Sequence, residues 1–197
     1  STKRAALTIM VITIASKLVG FSRDLALSYF YGAGSINDAY LISIAIPGSI
    51  FSFIAAGLAA GYVPMYTRVS QEQGVERADR FTNNLINVLL AACTVIVFLV
   101  LIFGGPIVRV FASGFEGKTF DLAVKLTRMT ILSIYFAGLV SVFSGYLQIK
   151  GNFAVPASVG FPMNLCIIVS IVFSSRIGDA KMLGLGYIAA VASQFIL

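Results

Sequence analysis

Six long apolar runs, separated by short polar breaks, divide the chain: 5–31, 38–63, 85–104, 122–147, 156–174 and 182–197. A helix needs about 20 residues to cross the roughly 30 Å hydrocarbon core of a bilayer. The runs are continuous and do not alternate in the ten-residue manner of barrel strands. They predict an all-α, polytopic membrane bundle of six transmembrane helices. The first, second and fourth runs are longer than a crossing requires and are expected to tilt, bend or project beyond the bilayer. The first is too long, and too charged at its middle, for a signal peptide, and no small-residue cleavage site follows it. The sixth stops at Leu197 without a polar flank, which reads as a partial chain.

Composition narrows the function classes. Hydrophobic residues make up 58% of the chain and charged residues 11%, about half the charged share of a soluble domain. With no His, a His-based catalytic or metal site is excluded from this segment. Cys93 and Cys166 fall inside predicted helices without CxxC spacing and read as packing residues. No nucleotide-binding motif is present, so direct ATP use within the segment is not expected. Nothing points to nucleic acid.

Charge sets the orientation. A cytoplasmic N-terminus puts Lys3, Arg4, Arg68, Arg77, Arg80 and Lys150 inside, against Arg109, Lys118, Arg176 and Lys181 outside. That is a modest positive-inside bias. The segment TRVSQEQGVERADRF (67–81) has mixed charge. It reads as a solvated cytoplasmic connection, partly helical, whose arginines could instead contact anionic lipid. Segment 104–121 mixes glycine with apolar residues and is expected at the membrane interface.

The first run carries the candidate chemistry. Its midpoint lies near Val19, with Lys17 and Arg23 within about one turn of it. A charge at that depth costs about 2.5–3.5 kcal/mol, so it must face a partner, a polar cavity or a water-filled path. At about 100° per residue, Lys17 and Asp24 share a face and can approach across two turns, while Arg23 lies about 120° round from Lys17. One carboxylate against two cations leaves positive charge over. Two roles fit: an internal ion pair that stitches helices together, or a cationic lining for an anionic ligand or for ion coupling. Gly20 weakens the helix locally and forms a small-xxx-small pair with Ser16.

Further along, Asn37 or Asp38 is suited to cap the second helix and meet its dipole. Gly32 and Gly34 mark a tight outer turn able to bend during gating. Pro47 should kink the second helix and free backbone groups that need other partners. Gly57 and Gly61 form a GxxxG close-packing face. Pro156 and Pro162 suggest a second kinked helix near the start of the fifth run.

The stretch SKLVGFSRDLALSYFYGAGSINDAYLISIAIP (16–47) resembles the opening of the MurJ (MviN) family of lipid II flippases, within the multidrug/oligosaccharidyl-lipid/polysaccharide exporter superfamily. The shared pattern rests on Ser16, Lys17, Gly20, Phe21, Arg23, Asp24, Gly32-Ala33-Gly34, Asp38-Ala39-Tyr40 and Pro47. It continues in Gly57, YVPMY (62–66), FASGF (111–115), NFAVPA (152–157) and Asn164.

The resemblance implies fourteen membrane helices in the whole protein. Two six-helix lobes would enclose a central cavity, and residues 1–197 would form the N-terminal lobe, partnered by a C-terminal lobe of the same protein. The implied activity is movement of lipid II, an undecaprenyl-diphosphate-linked peptidoglycan precursor, from the inner to the outer leaflet of a bacterial cytoplasmic membrane by alternating access. That is transport rather than enzyme catalysis, with no cofactor. Membrane potential or a monovalent cation would drive it. By position, Lys17 and Arg23 would bind the diphosphate, Asp24 would orient or couple them, and Asp38 would belong to the outer gate. Gly20, Gly32, Gly34 and Pro47 would act as helix hinges, and no residue is expected to bind metal. Phe51, Ser52 and Ala56 stand where many members carry arginines and a glutamate, and Lys17 stands where arginine is commoner. The C-terminal lobe would compensate, or the substrate would differ: another polyprenyl-linked glycan, or a cationic drug. A non-transporting membrane scaffold is the third alternative, and it predicts a dry bundle with both cations paired.

Overall fold

The computed structural model describes residues 2–197, with side chains from Leu7 onward; Lys3 and Arg4, the basic flank of the first run, have side chains outside the described residues. The chain is helical throughout: α1 (Thr2–Tyr31), α2 (Ser35–Gln73), α3 (Val75–Phe111), α4 (Gly117–Thr130), α5 (Ser133–Ile149), α6 (Ala154–Ser158), α7 (Gly160–Ile177) and α8 (Lys181–Ser193), then a 3-10 turn at Gln194–Ile196. No strand occurs among the described residues.

The expected count of six helices is exceeded because two runs are broken. The fourth becomes α4 and α5, joined at a bend of 43°. The fifth begins with the single turn of α6, which contains Pro156, before α7 continues it. Three stretches are long and apolar enough to cross a membrane: α2, α3 and the α6–α7 unit. The α4–α5 pair makes a fourth if counted as one span. With 30 residues, α1 is about 45 Å long, but it carries Lys17, Arg23 and Asp24. The helix of the sixth run, α8, is short at 13 residues.

The polar segment 67–81, expected to be solvated and partly helical, is mostly exposed and more helical than expected. Helix covers both sides of it, and Gly74 alone breaks the run with φ 89°. Its charges are spaced for helix: Arg68 pairs with Glu72 at 2.8 Å and Arg80 with Glu76 at 4.0 Å, both four residues apart. Such pairs support a helix in water, so α2 and α3 extend beyond the apolar length of their runs. Segment 104–121 is likewise mostly helical, with only 112–116 irregular.

The longest helix, α2, is central and packs on α3, α4 and α5. One end of the lobe is filled by Tyr62, Tyr66, Leu89, Cys93, Val97 and Ile134. Around α1, α4, α7 and α8 the core is Leu27, Tyr40, Leu126, Ile167, Ile171 and Leu183. Of the two expected close-packing pairs, Ser16–Gly20 is packed and Gly57–Gly61 is not. A Cβ at Gly57 or Gly61 would meet nothing within 4 Å, so that GxxxG face is unpacked. A Cβ at Gly145 would lie 2.8 Å from the Tyr62 ring, and one at Gly138 3.1 Å from Leu89. These two glycines, a heptad apart on α5, seat that helix in the core. A Cβ at Gly160 would collide with Ser16 Oγ, which brings α7 directly onto the Ser16–Gly20 edge of α1.

Proline and its consequence are visible in α2. The helix runs unbroken through Pro47, which is buried. Proline has no N–H, so the carbonyl four residues back, that of Ser43, loses its helical donor. The Thr130 Oγ1 at the end of α4 donates to that oxygen at 2.6 Å. The group freed inside the bilayer therefore finds its partner on a neighbouring helix.

Candidate functional site

The charges of α1 are brought together differently from the helical-wheel expectation. Asp24 Oδ1 accepts from Arg23 Nε at 2.9 Å and from Arg23 Nη2 at 2.7 Å. Asp24 therefore pairs with Arg23, not with Lys17. The reason is reach: Lys17 and Asp24 share a face but are separated by about 10.5 Å along the axis, whereas the long arginine side chain folds back onto its neighbour. Lys17 is exposed and makes no hydrogen bond or ion pair among the described residues.

A third bond fixes the guanidinium. Arg23 Nη1 donates to Asn164 Oδ1 of α7 at 3.1 Å. The Asn164 amide lies 3.5 Å from where a Cβ on Gly20 would stand. Gly20 thus makes room for the residue that holds Arg23, and α1 passes through it without a break. The Arg23 side chain is 29% exposed and that of Asp24 58%. An arginine has five N–H donors. Three are committed here, leaving one free on each terminal nitrogen, side by side.

The exposed surface of α1 is divided lengthwise. Thr13, Lys17, Asp24 and Ser28 are all exposed and lie within about 60° of one another at 100° per residue. Val11, Leu18, Leu25 and Tyr29 form the exposed apolar strip beside them. The division is partial, since exposed Met10 and Phe21 border the polar strip and exposed Ser22 borders the apolar one; Lys17 and Asp24 are what mark this edge as a candidate cavity lining.

At the turn between α1 and α2, Gly32 has φ 58° and Asn37 Nδ2 donates to its carbonyl at 2.7 Å. The residue at the N-cap of α2 is Gly34, without a side-chain cap bond, so neither Asn37 nor Asp38 serves as the cap. Asp38 lies in the first turn, exposed, where its charge meets the helix dipole. It makes no ion pair among the described residues and is not in contact with the Arg23 cluster. On the same exposed face of α2 follow Ser49, Ser52 and Ala56, so that wall is polar but uncharged. Phe51 is half-buried against the core. No group of three His, Cys, Asp or Glu side chains able to hold a metal occurs among the described residues.

Sequence reasoning fell short at two places. Asn164, in FPMNLC, entered only as part of the family pattern, with no role assigned, although a polar residue within an apolar run is itself a signal. Lys125 and Arg128 fall inside the fourth run and deserved the same test as Lys17 and Arg23. Both are exposed on α4.

Comparison with known proteins agrees on one family. Residues 27–197 match the family described as "Lipid II flippase MurJ". The "Probable lipid II flippase MurJ" of Buchnera aphidicola subsp. Baizongia pistaciae is 26% identical over 98% of this chain and 38% of its own length. The "Lipid II flippase MurJ" of Burkholderia cenocepacia is 28% identical over 86% of this chain and 34% of its own. A solved structure, "Lipid II flippase MurJ, inward closed conformation", superposes with a TM-score of 0.82 at 26% identity, over 96% of this chain and 40% of that one. The chain thus spans 38% and 40% of the lengths of the Buchnera relative and of this structure.

Proposed function

The chain belongs to the lipid II flippase MurJ family, and we propose that it is the N-terminal lobe of a transporter that moves lipid II across a bacterial inner membrane. The observation that carries the reading is the Arg23 cluster: a half-buried guanidinium, held on two sides, with paired donors left open on an exposed polar edge of α1.

In this reading the N-terminus is cytoplasmic, and α1 forms one wall of a cavity whose other wall is a C-terminal lobe. Lys17 and Arg23 bind the diphosphate. Arg23 presents a pre-oriented two-donor edge to phosphate oxygens, because Asp24 and Asn164 have already fixed its plane. Lys17, about 9 Å along the helix axis, adds a mobile point charge. Asp24 is a positioning residue and lowers the net charge of the site. Its charge is already paired with Arg23 through Oδ1, which leaves no uncompensated carboxylate for a cationic drug and tells against that substrate class.

The lobes then rock about the bound headgroup, closing one side before opening the other. Asp38 belongs to the outer gate, where the Gly32–Gly34 turn absorbs the change, with Pro47 as a second flexible point in α2. The reaction makes and breaks no covalent bond. Membrane potential or a monovalent cation supplies the energy.

The test is lipid II translocation by the full-length protein in proteoliposomes, followed by accessibility of labelled lipid II from outside. The Lys17→Ala/Arg23→Ala double variant should lose translocation, and Asn164→Ala should retain part of it. Undiminished translocation by a folded, normally inserted double variant refutes these roles.

A further inference from the structure

A second group of cations stands on α4, away from the charged residues of α1 in sequence and in their contacts. Ala123, Leu126, Thr127 and Thr130 turn α4 toward the lobe interior, all fully buried. The other face of α4 carries Lys118, Asp121, Lys125 and Arg128, at spacings of three, four and three, all exposed. Three cations and one carboxylate share this face, and none of them forms an ion pair among the described residues.

The face is the wall of a cleft, not a flat surface. In α3 the backbone leaves helical geometry at Phe103, with φ −97° and ψ 21°, just before Gly104, Gly105 and Pro106. The two glycines leave the α3 side without side chains, and a cleft of about 580 Å³ opens between Gly105 and the Phe120, Val124, Lys125 and Arg128 side of α4. Arg128 lies across the backbone of Gly104, where an added Cβ would come within 3.2 Å of its Nε. Arg109 stacks on Phe120 at 4.9 Å. Asp121 also lines the cleft, so an anion there meets one carboxylate as well as the cations.

Depth identifies the occupant. Thr130 is bonded to Ser43, the ninth residue of α2, so it sits about 12 Å from the start of α2, beyond which the first turns of α4 project. Lys125 and Arg128 lie between that end and Thr130, about 4–9 Å deep. Side chains at this depth reach the phosphate layer by snorkelling. The cleft pairs cations at this depth with apolar walls, Phe120 and Val124 toward the start of α4 and Met129 beyond Arg128. We propose that the α3–α4 cleft binds the phosphate of an anionic membrane phospholipid, with an acyl chain along its apolar wall, as a site separate from the one on α1.

The test uses the full-length protein in bilayers containing either spin-labelled phosphatidylglycerol or spin-labelled phosphatidylcholine, with the motionally restricted fraction read by electron paramagnetic resonance. The wild type should prefer phosphatidylglycerol, and about 1 M salt should reduce that preference, which needs no variant at all. Each of Lys125→Gln and Arg128→Gln should lower the preference by about fivefold. Lys125→Arg should keep it, and Arg176→Gln should leave it unchanged. A preference that survives the Lys125→Gln/Arg128→Gln double change overturns the proposal. So does complete displacement of the labelled lipid by millimolar inorganic phosphate, since the site would then serve a soluble anion. Loss of lipid II translocation without loss of this preference would bear on α1 alone.

Discussion

Replacing Thr130 by valine keeps the shape of the side chain and removes one hydroxyl on which α2 depends. Pro47 leaves the Ser43 carbonyl without a helical donor, and Thr130 Oγ1, fully buried, supplies one at 2.6 Å. Its other contact, to Thr127 O within its own helix, is longer at 3.3 Å. A buried carbonyl left unpaired costs about 1–3 kcal/mol. Interhelical bonds in membrane proteins average about 0.6 kcal/mol and reach about 1.7. Together these set the expected loss for Thr130→Val at about 1–1.5 kcal/mol. The control is Pro47→Ala, which returns an N–H to the Ser43 carbonyl inside α2 and makes the threonine hydroxyl redundant. In that background Thr130→Val should cost less than about 0.5 kcal/mol, a coupling of about 1 kcal/mol. The assay is reversible unfolding of the full-length protein by denaturing detergent in mixed micelles, for all four members of the cycle. Equal costs in the two backgrounds refute the reasoning, because the hydroxyl would then not be serving the carbonyl that Pro47 leaves open.

Two further outcomes follow from packing and exposure. Gly145→Ala places a methyl 2.8 Å from the Tyr62 ring and should destabilise by about 1–3 kcal/mol through separation of α2 and α5; Gly57→Ala meets nothing and should melt within a few degrees of wild type, so equal melting temperatures would show that α5 is not seated by its glycines. Lys17→Cys, in a background with Cys93 and Cys166 replaced by alanine, should react in membranes with a charged maleimide that leaves the buried Cys93 of the wild type untouched; failure of Lys17→Cys to react would mean a dry bundle.

The spans were legible because apolar length is a property of sequence alone. The breaks inside them were less so. The α4–α5 bend falls in TILS, four residues with no proline or glycine, and it follows from tertiary packing around Ile131 and Ile134, both buried. The helical extensions of α2 and α3 were hidden because charge suggests loop, and the four-residue spacing of Arg68 with Glu72 was given too little weight. Pro47 was readable as a source of unpaired backbone, but Thr130 is 83 positions away in sequence, and only the fold joins them. At the site, residue types and depth identified Lys17 and Arg23. The pairing did not follow, because a wheel treats shared face as contact and ignores axial distance. Asp24 shares a face with Lys17 and bonds to Arg23.

That pairing bears on selectivity. A cavity open to a bilayer faces phospholipids in large excess over any precursor, and most anionic ones carry a single charge at the phosphate. If Arg23 and Lys17 were both unpaired, the wall would attract any of them strongly. With Asp24 bound to Arg23, the cluster carries a net charge near that of Lys17 alone, while Arg23 still presents two donors in fixed geometry. Coulomb attraction scales with the charge of the guest, so a diphosphate keeps roughly twice the attraction of a monoester at the same distance. The oxygens of its second phosphate can also reach toward Lys17. Asp24 thus removes the same fraction of Coulomb attraction from every anion, and the doubly charged guest stays ahead through its second charge and its reach toward Lys17. On α4, Lys125 and Arg128 have no such partner among the described residues. The proposed α3–α4 cleft would accept the common anionic lipid that the α1 wall is built to hold only weakly.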